Sequence, residues 1–243
     1  MLSWNHRKTE IIVFGPHSVL QNLKIHGSFI SESICVRFVT TVKNLGFRLD
    51  SIRSFRNQVQ SVKTSSFLKL RNISKMKAFL NQHQLKTLIE ALIHSLLDYC
   101  NSLYFGIDNS LLSQLQSIQN SSCRIIFNLK RRDSVSEFLQ KLHWLKVRER
   151  IYFKILVLVY KCLNGTAPVY LSELLQYNTI SGSRTPSLKS CIPKTVIGAR
   201  AFQCSAPKLW NHLPLHVKQS ASLEEFKKKL KTHLFKISHQ VLC

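Results

Sequence analysis

Apolar residues change their period near Ser54. Before it they come in short runs and alternations; after it they recur every three or four positions, the spacing of a helix face. Glu10-Ile11-Ile12-Val13-Phe14 is a short apolar run stopped by Gly15-Pro16, a turn signal. Leu23 to His26 alternates and ends at Gly27. Ile34 to Val39 alternates in its second half, and Val42 to Leu49 is a fourth strand with Gly46 placed as a bulge. Four short strands predict a small antiparallel sheet with a thin core.

The rest of the chain reads as helices. Ser54 is the expected N-cap of the first, with Phe55, Val59, Val62, Leu70 and Ile73 inside, Phe67 near that stripe, and Arg56, Lys63, Lys69, Arg71 and Lys75 opposite. The second carries Leu85, Leu88, Ile89, Leu92, Ile93, Leu96 and Leu97 on one face, behind an Asn81–Gln84 capping box. A third begins near Asn109, holds Leu111, Leu112, Leu115, Ile118, Ile125, Ile126 and Leu129 on one side, and ends in Lys130-Arg131-Arg132. Shorter helices are expected over Val135–Leu142 and from Val169, a longer one over Arg148–Asn164, and a loop over Thr179–Pro193. Ser222-Leu223-Glu224-Glu225 opens a last helix with Phe226, Leu230 and Leu234 inside and Lys227, Lys228, Lys229 and Lys231 outside. The expected fold class is mainly α: a small N-terminal antiparallel β remnant, a helical bundle, and a further helical C-terminal segment.

Charge then narrows the function. The 243 residues hold 35 lysines and arginines against 12 aspartates and glutamates, a formal charge of +23. Residues 1–121 carry 14 bases and 6 acids, and residues 122–243 carry 21 and 6. Ser51 to Ile89 and Leu174 to Leu223 contain no acid. Such a surface repels itself unless an anion covers it, and nucleic acid is the leading partner. An acidic lipid surface is the weaker option and an idle solvated surface the bland one.

Seven cysteines lie far apart with no Cys-x-x-Cys, so most are expected to act as small apolar residues in a reduced setting. Met1 to Lys8 is polar and basic, unlike a secretory leader. No apolar run approaches the roughly 20 residues of a membrane span. The expected location is nucleus or cytoplasm.

Little points to catalysis. Asp50, Asp98, Asp108 and Asp133 are isolated, which argues against two metal ions held by shared carboxylates about 3.5–4 Å apart. His212 and His216 have helical ligand spacing, but Pro214 breaks it, and His239 with Cys243 is no stronger. Asp98-Tyr99-Cys100 closes an apolar helix, so it reads as helix termination. Trp144 and Trp210 sit among leucines and read as core. No catalytic residue, metal ligand or cofactor is assigned.

An ordered series of motifs carries a resemblance. It runs Lys8-Thr9-Glu10-Ile11-Ile12-Val13-Phe14-Gly15, Val42-Lys43-Asn44-Leu45-Gly46-Phe47, Leu70-Arg71-Asn72-Ile73, then His94-Ser95-Leu96-Leu97-Asp98-Tyr99-Cys100-Asn101. Leu115-Gln116-Ser117-Ile118-Gln119-Asn120, Leu142-His143-Trp144-Leu145, Phe153-Lys154-Ile155-Leu156 and Tyr160-Lys161-Cys162-Leu163-Asn164-Gly165 follow. Ala167-Pro168-Val169-Tyr170-Leu171, Arg200-Ala201-Phe202, Ala206-Pro207-Lys208-Leu209-Trp210-Asn211 and Phe226 to Phe235 complete it. Together they resemble the C-terminal third of the reverse transcriptase of jockey-like non-LTR retrotransposons (LINE elements), over nearly the whole chain.

The resemblance implies a palm-end β remnant over 1–52, a thumb-like helical bundle over 53–132, and a C-terminal segment over 133–243 with a loop near 178–195. In the family, the Tyr-x-Asp-Asp turn and the earlier palm aspartate lie upstream of the Lys-Thr-Glu motif, here at Lys8. The endonuclease domain lies further upstream. A non-catalytic, truncated element copy is therefore expected, not an enzyme by itself. It would hold RNA, an RNA–DNA hybrid or DNA by backbone contacts through Arg53, Arg56, Lys63, Lys69, Arg71, Lys75, Lys130, Arg131, Arg132, Lys227, Lys228 and Lys231. Lys130–Arg132 and Lys227–Lys231 could equally serve nuclear import. The alternatives are a scaffold that binds a protein or a second copy through apolar helices or bare strand edges, and an accessory chain to a separate polymerase fragment.

Overall fold

The structure is a computed structural model, and it describes residues 9–22, 28–31, 34–178 and 187–239. Backbone contacts divide the chain into two units, Met1–Ser61 and Val62–Cys243.

In the first unit, β1 (Glu10–Ile11), α1 (His17–Asn22), β2 (Ser28–Ser31), β3 (Ile34–Phe38), β4 (Thr41–Asn44) and β5 (Phe47–Asp50) follow in order. β2 pairs antiparallel with β3, Ser28 opposite Arg37. On the other side β1 joins β3 in parallel, Ile11 opposite Phe38, an addition to the antiparallel sheet expected. The expected single strand Val42–Leu49 is instead the β4–β5 hairpin. Leu45 and Gly46 take φ of 47° and 89°, the double left-handed turn that suits the twist of paired strands, so Gly46 is a turn residue and not a bulge. The strand expected over Leu23–His26 lies outside the described residues, and β2 begins at Ser28.

Asp50 organises the start of α2 (Arg56–Met76). Its two carboxylate oxygens accept the N–H groups of Ser54 and Phe55, each at 2.7 Å. Ser54, the expected cap, accepts only the Arg56 N–H, at 3.3 Å. Phe55 is buried edge-on against Phe47, ring centres 5.5 Å apart. α2 begins in the first unit and continues in the second.

In the second unit come α3 (Gln82–Ile89), a π-helical turn over Glu90–His94, α4 (Ser95–Asp98), α5 (Asn109–Phe127), α6 (Ser136–Lys141) and α7 (Val147–Leu163). α8 (Val169–Ser172), α9 (Phe202–Asn211), α10 (Leu215–Lys218) and α11 (Leu223–His239) complete it. The Asn81–Gln84 capping box is formed in both directions at 2.9 Å. Across α3, the π turn and α4, Leu85, Ile89, Ile93 and Leu97 are buried in steps of four, and Leu92 is left 37% exposed.

No division falls at residue 132. α7 packs against α5, α9 and α11, so the expected bundle and the segment after it share one core. Tyr160 of α7 stacks on Phe226 of α11 at 4.3 Å between ring centres, and its hydroxyl donates to the Ser220 carbonyl at 2.9 Å. Trp210 of α9 closes the same cluster. Asn211 accepts the Leu188 N–H at 2.9 Å and donates to the Leu188 carbonyl at 2.8 Å, a side chain standing in for a neighbouring strand. The described part of the expected 179–193 loop is thereby pinned, with Leu188 fully buried.

The cysteine expectation needs one correction. Cys123 and Cys162 are buried free thiols, but Cys191 and Cys204 form a disulfide, their Cα atoms 4.9 Å apart. The bridge ties the segment before α9 to its first turn. Among the described residues no helix is long and apolar enough to cross a membrane.

Candidate functional site

The basic residues do not form the single face that periodicity suggested. Arg53 and Arg56 are exposed in the first unit, where the Arg53 guanidinium lies over the Phe14 ring at 4.7 Å. In the second unit Lys63 and Lys69 sit on opposite flanks of the buried stripe of α2. Both are half-buried and turn inward: Lys63 donates to the Gln114 side chain at 3.4 Å, and Lys69 to the Leu92 carbonyl at 3.5 Å. Arg71 and Lys75 alone of the later four are exposed, and Phe67 joins them on the outer side at 37% exposure.

Lys130, Arg131 and Arg132 are exposed, but in a turn beyond α5. Asn128 ends that helix with φ 54°, and the Asp133 carboxylate accepts the Lys130 N–H at 2.7 Å. On α11, Lys227 pairs with Glu224 and Lys229 with Glu225, each at 2.7 Å. Lys228 and Lys231 are exposed and line different cavities. The Ser222 cap works in part. Its hydroxyl accepts the Glu225 N–H, while the Glu225 carboxylate reaches past it to the Ala221 N–H at 2.9 Å.

The densest polar cluster escaped the sequence reading. The π turn and α4 present Glu90, His94 and Asp98 toward Leu142–Leu145 and α7. Trp144 donates its indole N–H to Glu90 at 2.8 Å, and its ring meets His94 edge-on at 4.2 Å. Arg150 forms a two-pronged pair with Asp98, one arm at 2.9 Å, and Asn101 donates to the same carboxylate at 3.2 Å. Gln119 donates to the Leu145 carbonyl and Lys146 to the Ser238 carbonyl, and His239 Nε2 lies 3.2 Å from the Trp144 carbonyl oxygen. One short segment thus joins the π turn, α5, α7 and α11.

His94 is 4% exposed, and its Nε2 finds no hydrogen-bond partner among the described residues. Burial, and then the Arg150 charge, pull its pKa down to about 3, so the ring is neutral. Neutral His94 packs against Trp144, and Asp98 is paired with Arg150. The cluster's chemistry is that of a buried joint. Trp144 and Trp210 are 3% and 5% exposed, core residues as expected. Asp98, Tyr99 and Cys100 end α4, Cys100 with φ 51°. His212 follows the end of α9 and His216 lies on α10, either side of Pro214. Among the described residues no three His, Cys, Asp or Glu side chains come together as metal ligands would.

No protein-family model matches this chain, and no curated protein or solved structure matches it either.

Proposed function

We propose that the chain binds nucleic acid through backbone phosphates, as a non-catalytic counterpart of the thumb and C-terminal segment of a jockey-like retrotransposon reverse transcriptase. One observation carries this reading: seven of the acids are taken up in caps, ion pairs and a buried joint, against 35 lysines and arginines in the chain. Asp50, Asp108 and Asp133 cap backbone N–H groups. Asp98 and Glu90 hold the Trp144–Arg150 joint. Among the described residues four ion pairs form, with Lys86, Arg150, Lys227 and Lys229 as their cations. The net charge of +23 supplies the attraction to phosphates.

The contacts proposed are Arg53 and Arg56 in the first unit, and Arg71, Lys75, Lys130, Arg131, Arg132, Lys228 and Lys231 in the second. Lys63, Lys69 and Lys227 contribute charge but are already held by neighbours. Such contacts position a strand without reading its sequence.

Fluorescence anisotropy with an RNA hairpin, an RNA–DNA hybrid and a DNA duplex across a salt series tests this. The expected result is a steep negative log–log slope with the two A-form ligands preferred at about 0.2 M salt. Equal weak binding to all three, lost by that salt, would reduce the charge to a generic polycation effect.

A second reading is a scaffold that docks a protein or a second copy. Its support is apolar exposure on and after α2: Leu68 at 61%, Met76 at 48% and Phe79 at 87%. A stable dimer with little RNA affinity would favour it.

A further inference from the structure

We propose that the outer ridge of α2, with the 3₁₀ turn after it, holds an unpaired stretch of a nucleic-acid strand: bases stack on Phe67 and Phe79, and phosphates meet Arg71 and Lys75. This rests on the nucleic-acid reading above and names the unpaired part of its ligand.

Four-residue steps build the ridge. Phe67, Arg71 and Lys75 lie on α2, and Phe79 ends the 3₁₀ turn Lys77–Phe79 that follows it. Side chains four apart on a helix are neighbours, so the order along the ridge is aromatic, base, base, aromatic. At about 1.5 Å of rise per residue the ridge is about 18 Å long.

The core does not use these side chains. Val59, Val62, Leu70 and Ile73 on the inner side of α2 are buried, whereas Phe67 is 37% and Phe79 87% exposed, with Arg71 and Lys75 exposed between them. The turn that carries Phe79 is held. Lys77 donates to the Asn128 side chain at 2.7 Å, and the Leu80 N–H to the Lys77 carbonyl at 3.3 Å. The first bond ties the turn to the end of α5, where the exposed Lys130, Arg131 and Arg132 follow.

Charge and order select the ligand. Ser51 to Ile89 contains no acid, so this surface attracts an anion. Arg71 and Lys75 separate the two rings, whereas a docked helix or a lipid surface takes an uninterrupted apolar stripe. A single strand presents the same two chemistries, flat apolar bases and anionic phosphates. In a duplex the base faces are already stacked on one another, so only unpaired bases can use the rings. Every base has such a face, so the contact tolerates any sequence.

The test removes the bases and keeps the phosphates. Fluorescence anisotropy compares the full chain on one RNA hairpin with a short unpaired tail, either normal or abasic. The normal tail is expected to bind about tenfold tighter, the effect of stacking one base. Phe67→Leu with Phe79→Leu keeps apolar bulk without a ring and should bring the ratio to one. Phe79→Trp should preserve it. Arg71→Gln with Lys75→Gln should weaken both tails alike and leave the ratio unchanged.

Equal affinity for the two tails overturns the ridge. If that shared affinity is strong and salt-dependent, the nucleic-acid reading stands without it. If neither RNA binds, both fall. Sedimentation then reads whether the ridge joins two copies, and phosphatidylserine vesicles whether it meets lipid; either result would replace the strand. A tail preference that survives the double leucine variant would place the unpaired bases elsewhere on the chain.

Discussion

Trp144 gives its indole N–H to the carboxylate of Glu90, 54 residues earlier, at 2.8 Å. The bond joins the π turn to the segment before α7, and it sets the first expectation. Trp144→Phe keeps an aromatic body against His94 but removes the donor. It should cost about 1–2 kcal/mol, while Trp144→Ala, which also opens a cavity, should cost about 3–5 kcal/mol. Urea unfolding of both variants reads this. No loss in Trp144→Phe would mean that the hydrogen bond contributes nothing.

His94 makes the fold sensitive to acid. Its folded pKa of about 3 lies below the ordinary value of 6.5, so the unfolded chain takes up the proton first. The His94 contribution to stability is complete above pH 6.5 and is lost as pH falls from there toward 3. Between pH 7.5 and 5 the loss should be about 2 kcal/mol. His94→Gln should be less stable at neutral pH and show a flatter profile in that window. A slope unchanged by the substitution would assign it to other groups.

Arg150 and Asp98 lie on α7 and α4, with side chains 19% and 36% exposed. Breaking a partly buried, two-pronged pair should cost roughly 1–3 kcal/mol in Asp98→Asn or Arg150→Gln alone. The double variant should lose less than the sum of the two. Strict additivity in a double-mutant cycle would show that the two groups do not interact.

Gly106 sits at φ 67°, and a Cβ there would stand 2.9 Å from the Arg200 side chain. Arg200 is held in place by its donation to the Phe105 carbonyl at 3.1 Å. Gly106→Ala should lower stability by about 1–2 kcal/mol through both the backbone conformation and the displaced arginine. Thermal unfolding alongside Gly165→Ala tests the packing part. Gly165 shares φ 67° but has nothing within 4 Å, so it should suffer the smaller loss.

Arg71 and Lys75 are the exposed bases of α2 in the second unit. Replacing both by alanine should weaken RNA binding similarly across sequences. It should also reduce the magnitude of the log–log salt slope by about 2. An unchanged slope would remove this surface from the interface.

What could be read from the sequence was local. The Asn81–Gln84 box needs only residues three apart, and the buried positions of α7 and α11 follow a plain helical period. Periodicity fails where geometry departs from one period, as at the π turn that turns Leu92 outward. It fails too at Leu45-Gly46, where two positive φ angles fold an apparent single strand into a hairpin. It also cannot tell the flanks of a helix from its outer face, so spacing alone groups Lys63 and Lys69 with Arg71. The Glu90–Trp144 and Asp98–Arg150 joints link residues more than fifty apart, and no spacing rule reports such pairs.

The shared core around α7 also has a biosynthetic meaning. The apolar side of α7 is closed by Phe226, Leu230 and Leu234, more than sixty residues further along the chain. While the ribosome is still making residues 164–222, that side has no cover from α11. Folding of the second unit therefore finishes only after α11 has emerged. In that interval α7 is a natural holding point for a chaperone, and a message cut short before codon 223 would yield a product prone to aggregation and degradation.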